Sequence, residues 1–99
     1  MYTDDMWTVY VLRNSQTKEL YIGLTGDIAR RLTEHNSGGQ EATKRLSGQW
    51  ELVYHESYRD KRDALLREQR LKHHGRAKQE LYKRIQISLE AESGAGRSK

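Results

Sequence analysis

The sequence contains no cysteine, which excludes disulfides and thiolate zinc sites. It has no apolar stretch approaching the ~20 residues needed to cross a bilayer. Its opening residues, MYTDDMW, lack the basic-then-apolar order of an export signal. Together these absences lead us to expect a cytoplasmic protein with no membrane contact and no structural metal. Apolar side chains are scarce as well, at 34% of the 99 residues against 32% charged. A chain of that length holds one domain with one modest core. The apolar residues that are present fall in bunched, periodic runs, which argues against wholesale disorder.

The formal net charge is +4, a weak lean toward an anionic partner. Its distribution says more than its total. Between Arg67 and Arg84 the Lys and Arg residues at 67, 70, 72, 76, 78, 83 and 84 face only Glu68 and Glu80. A solvated helix face and a nucleic-acid surface both fit that excess.

Residues 7–13 (WTVYVLR) are β-branched and aromatic, and they predict a strand. A polar turn over 14–18 and a second apolar run over 19–24 make a β-hairpin the economical reading. Thr25, Gly26 and Asp27 break the strand and offer a helix N-cap; helical spacing follows from Ile28 until Asn36 to Gly39 supply a stop. Residues 38–49 read as a loop. In the next strand, over 50–56, alternation places Trp50, Leu52 and Tyr54 on one face. A helix over 60–74, closed by Gly75 at its C′ position, precedes another over 76–90 that carries Ala77, Leu81, Ile85 and Leu89. The order is β-β-α-β-α-α, an α+β domain over 1–90 with a small three-stranded antiparallel sheet flanked by three helices. Residues 91–99 read as a flexible tail.

Several residues do not fit a purely structural account. On a helical wheel Glu68 falls within the apolar face that Ala64 and Leu71 define. A carboxylate there is paired at the rim of the core, bound to a metal or protonated, because burying it bare is too costly. Arg31 and His35 occupy one stripe of the first helix, a turn apart. Tyr10 shares a strand face with Thr8 and Leu12, and Tyr21 shares one with Gly23. With the turn centred between Ser15 and Gln16, Tyr10 lies directly across from Tyr21. Gly23 inside a strand marks a close approach to the backbone. Two phenols, a guanidinium, an imidazole and a carboxylate make up a kit able to cleave a phosphodiester. In it nearby cations would lower the ordinary phenol pKa of about 10.

These residues resemble the signatures of the GIY-YIG nuclease superfamily. The first signature stands as Thr8-Val9-Tyr10, with threonine in the usual glycine position, and the second as Tyr21-Ile22-Gly23. Arg31 and His35 match the helix that follows. Glu68, within ALLREQRLK, matches the glutamate of the next long helix. ARRLTEHN and ALLREQRLK are closest in wording to the small stand-alone UPF0213-like group. The family's asparagine in the C-terminal helical part has no counterpart here.

The resemblance implies a metal-dependent endonuclease that cuts DNA, on a branched or single-stranded substrate. Tyr10 would activate the attacking water, and Tyr21 would support it or the phosphate. Arg31 would stabilise the pentacovalent phosphate, with His35 an auxiliary at the same edge. Glu68 would hold a single Mg2+ or Mn2+ ion. Gly23, Arg67, Lys72 and Arg76 are the expected nucleic-acid contacts. A separate targeting protein is the further partner implied, since relatives usually add a domain for target choice. The competing reading is a non-catalytic nucleic-acid-binding module that uses the same basic groove.

Overall fold

The computed structural model describes residues 5–38 and 48–91. Most of the expected loop and nearly all of the expected tail fall outside them. Strands β1 (Trp7–Asn14), β2 (Leu20–Thr25) and β3 (Trp50–Tyr58) form one antiparallel sheet in the order β2-β1-β3. Helix α1 (Ile28–Asn36) lies between β2 and β3 in the chain. Helices α2 (Lys61–His73), α3 (Gly75–Arg84) and α4 (Gln86–Glu90) follow β3. This is the expected α+β order, except that the last expected helix is broken in two at Ile85. No helix of the described residues is long and apolar enough to cross a membrane.

The central strand explains the architecture. β1 is covered on both faces, and Thr8 through Asn14 are all buried, so its near-continuous apolar run has no solvent side. Val9 and Val11 meet Ile22, Ala64, Leu71, Leu81 and Ile85 on the α2 and α3 side. Tyr10 and Leu12 meet Trp50, Tyr21, Ile28 and Leu32 on the α1 side. At the edge of β2, residues of α1 and α2, which lie on opposite faces of the sheet, border one opening.

The hairpin register differs from the expected one. Tyr10 pairs with Gly23, and Leu12 pairs with Tyr21. The cause lies in the turn: Asn14 Oδ1 accepts from the backbone N–H of Gln16 (2.9 Å) and Thr17 (3.0 Å), and Lys18 adopts φ 66°. This folds Ser15 to Lys18 into the loop and centres the turn one residue later. Pairing shifts by two residues, so both tyrosines keep the same face and lie diagonal to each other.

A β-bulge also breaks the predicted alternation in β3. Val11 pairs with Tyr54 while Leu12 pairs with Leu52, so Val53 is the extra residue. Trp50 stays on the α1 face, whereas Tyr54 packs against the α2 and α3 core.

Helix ends follow local chemistry. Asp27 caps α1 by accepting from the Arg30 N–H at 3.1 Å, and Gly38 ends the turn at φ 81°. Gly75 is not a left-handed C-cap. His74, extended at φ −124° and ψ 97°, both ends α2 and starts α3, so Gly75 is the first residue of the next helix. At the far end the buried Arg13 donates to the carbonyls of Leu89 and Ala91 and pairs with Glu51 at 3.2 Å. One guanidinium thereby supplies donors to the orphan carbonyls that close α4.

Candidate active site

Tyr10 projects from the central strand on the α1 face, and its phenol lies over its cross-strand partner Gly23. A Cβ on Gly23 would fall on the Tyr10 hydroxyl. What approaches the glycine backbone closely is thus the protein's own phenol, which corrects the expectation of a nucleic-acid contact at Gly23. Tyr10 is 1% exposed, and its hydroxyl lies 3.1 Å from His35 Nε2. Tyr21 completes the group, with ring centroids 4.9 Å from His35 and 6.3 Å from Tyr10. The Lys72 ammonium stands 5.8 Å over the Tyr21 ring.

Burial decides the protonation of this pair. It raises the Tyr10 hydroxyl well above the usual phenol value, and the neighbouring Tyr21 adds to the rise; Arg31 opposes it, while Glu68 and Glu34 reinforce it. Against the expected assistance by cations, desolvation outweighs the Arg31 guanidinium at Tyr10. Burial first and Arg31 second also hold His35 below 6.5. At neutral pH a neutral imidazole therefore faces a protonated phenol. Tyr10 donates and Nε2 accepts, which leaves the ring proton on Nδ1.

Arg31 and Glu68 open into one cleft of about 490 Å³ at the β2 edge, with Leu24, Gly26 and Lys61 among its walls. The Arg31 Nε lies 3.4 Å from Glu34. The Glu68 side chain is 15% exposed, and its Oε2 pairs with Lys72 Nζ at 3.1 Å. Glu68 is thus ion-paired at the rim of the core, one of the expected readings, and its own side chain also borders the cleft. Among the described residues no group of three or more His, Asp or Glu side chains could cage a metal. A lone carboxylate on an open cleft nonetheless suits Mg2+ or Mn2+ that keeps most of its waters.

Two expected contacts lie elsewhere. Arg67 donates to Glu56 of β3 at 3.0 Å, and the same carboxylate accepts from the hydroxyls of Tyr54 and Tyr58. Its guanidinium is committed to holding α2 against β3, because adjacent helical residues point about 100° apart. Arg76, 91% exposed, pairs among the described residues with Glu80 on α3. Thr8, in the signature's glycine position, is absorbed by β3: its hydroxyl bonds Ser57 at 2.8 Å.

Sequence reasoning also missed residues. By sequence Asn36 is part of a helix stop; in the fold its amide also binds the backbone of Trp50 in both directions, at 3.0 and 2.6 Å. That pair ties the end of α1, and so His35, to β3. Trp7, Arg30 and Lys61 reach the cleft from three separate segments; nothing in their local spacing announces it.

Residues 6–85 match the GIY-YIG catalytic domain, and the chain belongs to that family of nucleases, whose members generally depend on a divalent metal. Within the family its relatives are UPF0213 proteins. A UPF0213 protein of Yersinia enterocolitica is 40% identical over 70 residues, 71% of each chain. One from Yersinia pestis is 39% identical over 71% of this chain and 73% of its own. The solution structure of a UPF0213 protein from Bacillus halodurans is 30% identical, with 86% of this chain and 85% of that one covered and a TM-score of 0.48.

Proposed function

We propose that this protein is a metal-dependent endonuclease that nicks DNA at the β2-edge cleft, on a branched or single-stranded substrate. The observation that carries the proposal is the convergence of Arg31 and Glu68 on one opening, with the charges of both reaching the Tyr10 hydroxyl. Glu68 would hold a single Mg2+ or Mn2+ ion, which when bound supplies charge neutralisation at the phosphate. Arg31 binds a non-bridging phosphate oxygen and stabilises the charge that builds on it. The attacking water gives its proton to the Tyr10 oxygen as the Tyr10 proton passes to His35 Nε2. A new P–O bond forms, the bond to the leaving oxygen breaks, the departing alkoxide takes a proton from solvent water, and imidazolium is left on the protein to return its proton to solvent. Tyr21 packs against His35 and keeps its ring facing Tyr10. A targeting protein would supply the substrate choice that so small a cleft lacks.

A nicking assay on single-stranded, branched and duplex DNA with Mg2+ or Mn2+ tests this reading beside Arg31→Ala and Glu68→Gln. Activity in the wild type that both variants lose is the expected result; equal residual activity in all three would refute it. One observation favours the non-catalytic alternative, namely that the Glu68 carboxylate already pairs with Lys72. In that case Glu68→Gln would bind DNA at least as well as the wild type, and neither would cut.

A further inference from the structure

The cations around the cleft are not held alike. Arg30 and Arg31 approach Glu34 at 3.5 and 3.4 Å, and Lys72 approaches Glu68 at 3.1 Å, so a carboxylate offsets each charge. Lys61 is held differently. Its ammonium sits 4.7 Å above the Trp7 ring, and among the described residues no carboxylate lies within ion-pairing distance of it. An aromatic face fixes a cation in place without cancelling its charge. The neighbouring Asp60 is occupied by Arg62, at 3.0 and 2.7 Å.

The position of Lys61 is also unfavourable for the helix alone. It is the first residue of α2, where the backbone dipole favours anions and opposes a cation. Both Trp7 and Lys61 line the same cleft as Arg31 and Glu68. On α2, Lys61, Glu68 and Lys72 lie at intervals of seven and four residues, along one stripe. With a rise of 1.5 Å per residue, Lys61 stands about 10 Å from Glu68 along the axis, and Lys72 about 6 Å on the other side. A duplex strand carries a phosphate roughly every 3.4 Å along its axis, so the stripe spans a few phosphates.

We infer that Lys61, seated on Trp7, is a phosphate-binding residue for the DNA strand flanking the scissile bond, and that the strand runs along α2 from Lys72 past Glu68 to Lys61. The inference rests on the reading of the cleft as a DNA site. It adds a subsite that fixes the position of the strand and takes no part in bond cleavage.

The test is fluorescence anisotropy of a labelled single-stranded oligodeoxynucleotide, titrated in EDTA at several salt concentrations, with nicking measured separately. Lys61→Ala should weaken binding about three- to tenfold and flatten the slope of log affinity against log salt by about 0.7, one phosphate contact. Lys61→Arg should restore both values. Trp7→Leu should weaken binding about two- to threefold, and adding Lys61→Ala to it should cost less than Lys61→Ala alone. A Lys61→Ala protein with wild-type affinity and slope overturns the inference, even if the wild type nicks DNA. If the wild type binds, Lys61→Ala loses slope and nothing is cut, the subsite stands and the endonuclease reading falls. A wild type that does not bind overturns the inference, and the nicking assay with Mg2+ or Mn2+ then decides the endonuclease reading by itself.

Discussion

Two carboxylates near α2 are surrounded by the same kinds of residue and end in opposite situations. Glu56, on β3, accepts from two tyrosine hydroxyls and from Arg67. Glu68, on the side of α2 that faces the β2 edge, has Lys72 on one oxygen and a cleft in front of it. Burial alone would raise the Glu56 carboxyl, but the hydrogen bonds from Tyr58, Tyr54 and Arg67 outweigh it and hold it below 4.5. A carboxylate with its lone pairs filled is a staple, whereas one with a single partner and a cleft before it can take a ligand. Glutamate, tyrosine and arginine within reach of one another therefore do not define a site; the number of partners already bound and the presence of a cleft do.

The largest expected effect exploits that contrast. Glu68→Gln should reduce nicking by at least about 10²-fold and leave the melting temperature nearly unchanged. Glu56→Gln should do the reverse, lowering stability while the surviving folded protein still nicks. Steady-state nicking and thermal melts on both variants decide the matter. Equal loss of activity in both would dissolve the distinction.

Next in size is Tyr10. Tyr10→Phe keeps the packing over Gly23 and removes the hydroxyl that faces His35, so about a 10²-fold loss of nicking follows with little change in fold. The pH profile sharpens this. His35 must be neutral to accept a proton, and burial holds its pKa below the ordinary imidazole value, so the rate should stay level through neutrality and fall only on the acid side of that ordinary value. The Tyr10 hydroxyl keeps its proton beyond the usual phenol range, so no alkaline limb should arise from it near pH 10. A rate that climbed steadily between pH 8 and 10 would mean that phenolate is the base.

Which parts of this were legible in the sequence follows from how local each signal is. Strand and helix types were readable because periodicity and caps act within a few residues, as with Asp27 and α1. The two-residue register error came from the Asn14 side chain, whose bonds to Gln16 and Thr17 lengthen the loop. The bulge at Val53 left no local mark. Glu68 stood out because a carboxylate on an apolar stripe needs a reason. Arg67, one position earlier, was placed with the nucleic-acid contacts, since its partner Glu56 lies on a strand whose side-chain directions only the fold reveals. The burial of Tyr10 is hidden for a similar reason: composition shows the nearby cations but not the desolvation that opposes them.

A smaller effect concerns the staple itself. Glu56→Gln should cost about 1–3 kcal/mol, as expected for weakening hydrogen bonds to a part-buried charge. In a domain of this size each kcal/mol lowers the melting temperature by roughly 4–8 °C. Glu56 has a depressed pKa, so its contribution exists above 4.5 and is lost as pH falls through the folded value. Tyr58 is pushed up to about 12, by burial first and by its bond to Glu56 second. Its contribution is complete below 10 and is lost as pH rises through about 12. The stability gap between wild type and Glu56→Gln should therefore be widest between about pH 5 and 10 and close at both ends. A gap that ignores pH would show that the carboxylate charge is not what binds α2 to β3.

The smallest effect belongs to Arg76, and it separates location from charge. Its guanidinium is 91% exposed and among the described residues meets Glu80, one turn along the same helix, and it is not among the residues lining the cleft. Surface pairs of this kind contribute about 0.3–0.5 kcal/mol. If binding follows the cleft, Arg76→Ala should leave DNA affinity within about twofold and the salt slope unchanged, although it removes as much positive charge as Arg31→Ala. If binding instead follows the total basic charge of the C-terminal helices, the two variants should lose affinity equally. Side-by-side anisotropy titrations of Arg76→Ala and Arg31→Ala distinguish a strand held at the β2 edge from one attracted loosely to the whole basic surface.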